Sequence, residues 1–384
     1  MRLLHTSDWH LGRTLHGYSL LDAQRDAVET LVDEAISRGV ELFVIAGDVF
    51  DRAVPPIEAL RILNDAVARL NEASISTILI AGNHDSGERL STYSSVLRDG
   101  VWVVGDHDEL ATPIVLADAH GELLVYALPF LDPDLVRHNL SDGEPLERSH
   151  DAVMTRAIEL INLDQAARGN PRSIAIGHAF VVAGDPPEIS ESERDLSIGG
   201  VQSVPAARFG TSFDYVALGH LHRPQRVGSD GIRYSGSLLR YSFSEASHDK
   251  SFLVIDIGAP DAEIQIEQVP IAQPRPMSRL RGSIADLLSD SHSQSREHFV
   301  ELVVTEEAYP ERMHARLDAV FPFALRKEFA STRQLDHQAP RGDARGRDPL
   351  DVVRDFLESS GVAVDDDEDL ALVRAMYERV REPR

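Results

Sequence analysis

Two rhythms of hydrophobic and polar positions run through this chain. Residues 2–7, 41–46 and 76–81 have the length of buried strands, and 41–46 is a continuous apolar run. Between them, residues 21–38 and 56–73 place apolar side chains every three to four positions, the spacing of a helix with one buried face. Gly39 closes the first helix, and Pro56 can open the second because a first-turn N–H has no acceptor to lose. A short helical stretch follows around 89–97. Residues 101–104, 113–116 and 123–128 read as strands of a second sheet. A helix over 150–167 ends near Gly169-Asn170-Pro171 and leads into a strand at 173–176; strands at 214–218, 232–235 and 252–257 complete the set. Helices flanking continuous apolar strands predict an α/β fold of four layers, helix–sheet–sheet–helix. The polar stretches 132–149 and 184–195, the latter holding Asp185-Pro186-Pro187-Glu188, read as loops, either open to solvent or closing over a site.

The pattern changes where Pro270, Pro274 and Pro276 cluster. Residues 277–333 combine a helix-like 283–288, a strand-like 298–304 and a helix-like 311–320, with acidic and basic residues about balanced, which predicts a small α+β unit. Residues 334–348 are polar and rich in Gly, Asp and Arg, as a tether is. Two short amphipathic patterns follow at 349–359 and 369–380, separated by Gly361 and the acidic run 365–369. Val352, Val353, Phe356 and Leu357 form one apolar stripe; Leu370, Val373, Met376, Tyr377 and Val380 form the other. The expected layout is therefore a main domain at 1–270, a small capping domain at 271–335, a linker at 336–348 and a helical tail at 349–384. No internal repeat is visible.

Composition narrows the chemistry. The 384 residues contain no cysteine, so disulfides and thiolate zinc sites are excluded and any metal must be held by nitrogen and oxygen. No apolar run approaches the roughly 18 residues of a membrane span. A candidate ligand stands as early as Asp8, leaving no room for a secretory signal, so a cytoplasmic protein is expected. Net charge is −25, at first sight wrong for handling nucleic acid. The surface reading is a well-solvated acidic exterior. Two bound divalent cations would nonetheless put positive charge where a phosphate sits, and any long DNA contact would be shared with a partner.

Five polar clusters, each after a predicted strand, carry the candidate chemistry: Asp8-Trp9-His10, Gly47-Asp48, Gly82-Asn83-His84-Asp85, Gly177-His178 and Gly219-His220-Leu221-His222. Strand ends can converge on one point, and a mixed set of carboxylate, amide and imidazole is what two divalent metals about 3.5–4 Å apart require. Asp8 and His10 alternate, so an extended segment would aim both the same way. Asp48 is the candidate bridge, one oxygen to each cation. Asn83 offers a carbonyl oxygen and leaves His84 free to face substrate. The glycines read as turns that let the backbone approach the metals. Singly each cluster has a bland explanation; in this order together they point to phosphate-ester hydrolysis.

The order D-x-H, GD, GNHD, GH, GHxH resembles that of the calcineurin-like metallophosphoesterases over roughly residues 1–260. Within that superfamily the chain is similar to the SbcD group, nuclease subunits of SbcCD DNA-repair complexes. The closer match rests on His5-Thr6-Ser7-Asp8-Trp9-His10-Leu11-Gly12, on 46–51 with Pro55-Pro56, on Gly177-His178-Ala179-Phe180, and on Tyr234-Ser235-Gly236-Ser237 running to Tyr241-Ser242-Phe243-Ser244-Glu245-Ala246. The resemblance implies one metal on Asp8, His10, Asp48 and His222 and a second on Asp48, Asn83, His178 and His220. It implies that His84 stabilises or protonates the departing 3′ oxygen while water acidified by two cations attacks in line. Two Mn2+ ions suit such a donor set, with Mg2+ or Fe2+ as alternatives. It further implies DNA as substrate, a homodimer within a heterotetramer, and an SbcC-type ABC ATPase whose coiled coil receives the C-terminal helices.

Two positions stay open. Related archaeal and eukaryotic proteins carry a histidine where this chain has Asp51, so Asp51 is either a substrate-handling residue or a turn cap. Asp85 is read as orienting its neighbours through hydrogen bonds. The terminal helix pair either docks on the partner or packs on its own domain. The resulting expectation is a manganese-dependent 3′-to-5′ double-strand exonuclease and structure-specific endonuclease in DNA break repair. Its rivals are a phosphatase or cyclic-nucleotide phosphodiesterase on the same fold, and a non-catalytic DNA-tethering subunit.

Overall fold

The computed structural model describes residues 1–332 apart from 142, 185–189, 194–202 and 261, and beyond them residues 351, 352 and 374. The tether, almost all of both tail patterns and Asp185-Pro186-Pro187-Glu188 lie outside the described residues. Two six-stranded sheets face each other. The first runs, edge to edge, Gln265–Pro270, Ser251–Asp256, Arg2–Thr6, Leu42–Ala46, Ser76–Ile80, Val101–Val104. Its last four strands are parallel, and the Ser251–Asp256 and Gln265–Pro270 strands are antiparallel to their neighbours. The second runs Gln225–Val227, Ser229–Tyr234, Tyr215–Gly219, Ser173–His178, Gly121–Leu128, Ile114–Asp118, parallel through its four central strands.

Strand periodicity divides the core between layers. In Leu42–Ala46, Phe43 and Ile45 pack toward the helices, while Leu42, Val44 and Ala46 join Ile78, Ile80, Val125, Ile174, Ile176 and Ala217 between the sheets. Being apolar on both faces is why this strand reads as an unbroken run. Helix Leu21–Ser37 buries Ala27, Val28, Leu31, Val32 and Ala35, and helix Ile57–Glu72 buries Ala59, Ile62, Ala66 and Leu70, both against the first sheet. Pro56 sits just before that helix in extended backbone rather than within it. Helix His150–Ala167 covers the second sheet with Val153, Met154, Ala157, Ile158 and Ile161. Four layers result, as the pattern predicts. Between the sheets His5 spans the gap, its Nδ1 2.9 Å from the Tyr215 hydroxyl and its Nε2 3.1 Å from the Leu218 carbonyl.

Two strand expectations need correction. Val101–Val104 belongs to the first sheet, pairing in parallel with Ser76–Ile80. Gln265–Pro270, unpredicted, extends the first sheet at its other edge; its exposed, alternating side chains lack the apolar run that marks a central strand. The stretch read as a helix around 89–97 resolves into Gly87–Leu90 and a 3-10 turn at Ser94–Val96. Beyond Pro276, strands Met277–Gly282, Phe299–Glu306 and Ala324–Ser331 form a parallel three-stranded sheet with Phe299–Glu306 in the middle. Helices Ile284–Leu287 and Met313–Asp318 close a separate small core around Leu287, Val300, Leu302, Leu317 and Phe321. Among the described residues no helix is long and apolar enough to cross a membrane.

Candidate metal centre

All five polar clusters meet at one edge of the two-sheet sandwich. The turn after strand Arg2–Thr6 runs beside the turn after Leu42–Ala46: Asp8 N–H donates to the Gly47 carbonyl at 3.0 Å and His10 N–H to the Asp48 carbonyl at 2.9 Å. Residues 8–10 are not extended, contrary to the alternation argument. Asp8 and His10 have φ of 52° and 44°, Asp48 has 48° and His220 has 113°. Left-handed backbone at non-glycine residues costs about 1–3 kcal/mol each and persists only where surroundings enforce it. At Asp8 and His10 the anchor is Trp9. Fully buried between its two neighbours, it packs on Phe43 and donates from Nε1 to Thr6 Oγ1 at 3.0 Å. Gln24 on helix Leu21–Ser37 grips the same turn, donating to the His10 carbonyl at 2.7 Å and accepting from Gly12 N–H at 3.0 Å.

The glycines also act differently from expectation. A Cβ at Gly82 would lie 2.2 Å from the Asp48 amide nitrogen and Oδ1, one at Gly47 2.2 Å from His178 Nδ1, and one at Gly219 1.8 Å from the Ala46 carbonyl oxygen. These three make room for candidate ligand residues and the backbone that carries them. Gly177 does not: a Cβ there would meet only Leu218 at 3.5 Å, an ordinary contact.

Within this frame the donors form two groups around Asp48. In the first, His10 Nε2 and His222 Nε2 face each other at 3.1 Å, with Asp8 beside them. In the second, Asn83 Oδ1 lies 3.0 Å from His178 Nε2 and 3.1 Å from His220 Nδ1. Asp48 Oδ2 lies 3.6 Å from His10 Nε2 and 3.4 Å from His178 Nε2, so a single oxygen faces both groups. Its other oxygen accepts from His84 N–H at 2.8 Å. Ligand atoms of Asp8, His10 and His222 lie within 4.8 Å of one another, as do those of Asp8, Asp48 and His178 and of His10, Asp48 and His84. Buried nitrogen and oxygen donors facing one another without a proton donor for each acceptor are what divalent cations satisfy, so the residues fit a dimetal site.

The electrostatics agree. Burial pushes the Asp8 carboxyl up to about 6, with His178 and His222 pulling the other way. Burial opposes the Asp48 charge too, but His178 and its hydrogen bond hold that carboxyl well below the usual range. Burial likewise favours neutral His178, and Asp48 outweighs it, raising the ring to about 9. Asp48 thus draws positive charge to the point between the donor groups. Burial lowers His10, and it lowers His220 to about 3, leaving neutral rings that can act as ligands.

His84 is half-buried beside this centre, with Nδ1 3.0 Å from the Asp51 carbonyl. A carbonyl only accepts, so Nδ1 carries a proton and Nε2 is left for proton exchange. Asp51 caps no turn through its side chain. Its Oδ1 pairs with Arg13 at 3.1 Å and lies 3.7 Å from His10 Nδ1. Asp85 accepts three backbone N–H bonds, from Val49 at 3.0 Å, Phe50 at 2.9 Å and Gly82 at 2.9 Å, tying the Asp48 loop to the Asn83 loop.

Several residues at the centre escaped sequence reasoning. Ser7 Oγ donates to Asp8 at 2.6 Å. Behind His222, buried Glu245 lies 3.3 Å from Nδ1 and pairs with buried Lys250 at 2.6 Å. One signal was available for Lys250, because the chain has only one other lysine, Lys327, and a rare residue four positions beyond Ala246 invites a role.

The model of the calcineurin-like phosphoesterase family matches residues 1–224, and that of the type 5 capsule protein repressor C-terminal domain, SbcD_C, matches residues 273–360. Among solved structures, a protein of Thermus thermophilus is 15% identical at a TM-score of 0.39, covering 70% of this chain and 98% of its own. A dimetal phosphatase from Danio rerio is 14% identical at a TM-score of 0.40, covering 71% of this chain and 97% of its own. Extending over more than half the chain and containing all five clusters whole, the first match settles the family: the chain belongs to the calcineurin-like phosphoesterases and carries an SbcD-type C-terminal domain.

Proposed function

We propose that this chain is a manganese-dependent DNA nuclease, a 3′-to-5′ double-strand exonuclease and structure-specific endonuclease that serves DNA break repair and recombination with an SbcC-type ABC ATPase. The observation that carries the reading is the shared Asp48 oxygen between two donor groups, with His84 beside it. Cations held on Asp8, His10, Asp48 and His222, and on Asp48, Asn83, His178 and His220, would acidify water and neutralise charge developing on phosphate. The chain supplies the rest. Asp85 fixes the loops that present Asp48 and Asn83. His84 Nε2 is placed to exchange a proton with the departing 3′ oxygen while Nδ1 stays on the Asp51 carbonyl. Asp51 and Arg13, paired at the rim, are placed to meet the substrate backbone.

Support for DNA and for the ATPase comes from the SbcD-type domain rather than from the centre. A second copy of the chain completes the proposed assembly. Large apolar side chains stand exposed at Val54, Ile57 and Leu60 and again at Tyr93 and Val96, and are candidates for the contact with that second copy. The test is digestion of end-labelled linear duplex DNA by purified protein, with Mn2+ and with chelator, on material sedimenting as a dimer. Mn2+-dependent shortening from 3′ ends is expected. Turnover of bis-p-nitrophenyl phosphate with DNA untouched would assign a small phosphodiester instead, and metal uptake without turnover of either would make this a tethering subunit.

A further inference from the structure

The segment 190–193 touches His222 on one side and the three-stranded unit on the other. Ser192 Oγ donates to Glu245 Oε1 at 2.5 Å and lies 2.9 Å from His222 Nδ1. Having given its proton to Glu245, that hydroxyl can only accept from the ring, so His222 carries its hydrogen on Nδ1 and presents the Nε2 lone pair toward His10 and Asp8. Glu193 accepts the His222 backbone N–H and also the Ser190 N–H. Lys250 Nζ donates to the His222 carbonyl at 2.8 Å and to Glu245 at 2.6 Å. Ring, amide and carbonyl of this one residue are therefore all held by side chains outside the centre.

The same segment is pinned from the far side. Glu191 N–H donates to Ser244 Oγ at 2.9 Å, which seats the segment on the turn that carries Glu245. The Glu191 carboxylate lies 3.9 Å from Arg279 and 3.7 Å from Arg326, on two outer strands of the small sheet. Those two arginines converge on Glu301, a buried carboxylate of the middle strand, with Arg326 at 2.9 Å. A continuous chain of polar contacts thus runs from the small sheet through Glu191 to Ser192 and Glu193, and so to His222.

We propose that Ser192, Glu193, Glu245 and Lys250 are positioning residues for His222, and that Glu191 couples their geometry to the place of the three-stranded unit. When that unit shifts, the pull on Glu191 moves Ser192 and Glu193, and the cation site that includes His222 loosens or tightens. Whatever binds the small unit would then be read at the centre without touching it. This inference rests on the reading of His222 as a metal ligand.

The test is titration of the full chain with Mn2+, followed by electron paramagnetic resonance, for the wild type, Ser192→Ala, Glu191→Gln and Glu191→Lys. Partners behind a ligating histidine typically govern about 10–100-fold in metal affinity, and Ser192→Ala should fall in that range for one ion of the pair. Glu191 touches no ligand, so a filler of space would leave the spectrum alone. Coupling predicts a weaker second ion and an altered spin-coupled signal, modest in Glu191→Gln and about tenfold in Glu191→Lys, where the two arginines repel the new charge. Wild-type affinity and spectrum in both Glu191 variants, with Ser192→Ala weakened, would overturn the coupling and leave the metal reading intact. A wild-type chain that takes up no pair of ions would overturn the metal reading and this inference with it.

Discussion

Gly82 and Gly177 occupy the same place in the sequence pattern, each directly before a candidate ligand, and physical chemistry separates them. A methyl group at Gly82 would occupy the space of the Asp48 amide and carboxylate at 2.2 Å, whereas at Gly177 it meets only a leucine methyl at 3.5 Å. Gly82→Ala is expected to displace Asp48, abolish paired metal binding and lower stability by about 1–3 kcal/mol. Gly177→Ala should leave metal binding within about twofold. Urea midpoints and Mn2+ titrations on the two variants decide the matter, and equal effects would refute this account of the glycines. Residue identities at the centre were legible from the sequence because five such clusters, each ambiguous singly, fall in one order after predicted strands. Conformation was not. The left-handed backbone of Asp8 and His10, anchored by Trp9 and Gln24, and the single Asp48 oxygen facing both groups are outcomes of packing that no spacing displays. Glu193, Glu245 and Lys250 escaped for the same reason, since their partner His222 is distant from each of them along the chain.

Elements were read well where one face or both faces were buried. The helix His150–Ala167 is recovered at both ends because Ser149 caps it, its hydroxyl accepting from Ala152 N–H at 3.2 Å. Sheet membership was harder. An apolar run does not say which sheet it joins, and Val101–Val104 follows a polar interval that suggested a new layer. The contact between layers also carries a pH dependence. Burial lowers His5 to about 3 from an ordinary 6.5, although the Leu218 carbonyl favours its charged form. The unfolded chain therefore takes up this proton first as pH falls. Stability from this residue is complete above about 6.5 and is lost progressively toward 3. Wild type should lose more of its urea midpoint between pH 7 and pH 4.5 than His5→Gln does. An unchanged gap between the two proteins across that interval would remove His5 as the cause.

At the scale of the whole molecule, two sheets and their turns bring residues 8 and 222 to one point, and the small sheet reaches the same region through Glu191. The net charge of −25 that argues against a nucleic-acid enzyme is compatible with one whose phosphate contact is made through cations. Everything proposed depends on a paired site in which Asp48 holds the cations and His84 moves a proton. The most direct test counts bound Mn2+ per chain and measures bis-p-nitrophenyl phosphate turnover in wild type, Asp48→Ala and His84→Ala. Wild type should hold a pair of ions and turn over. His84→Ala should keep the pair and lose about 100-fold or more in rate, and Asp48→Ala should lose both metal and rate. Equal loss of metal in the two variants would contradict the account, because His84 would then be a ligand and the proton donor would have to be sought elsewhere.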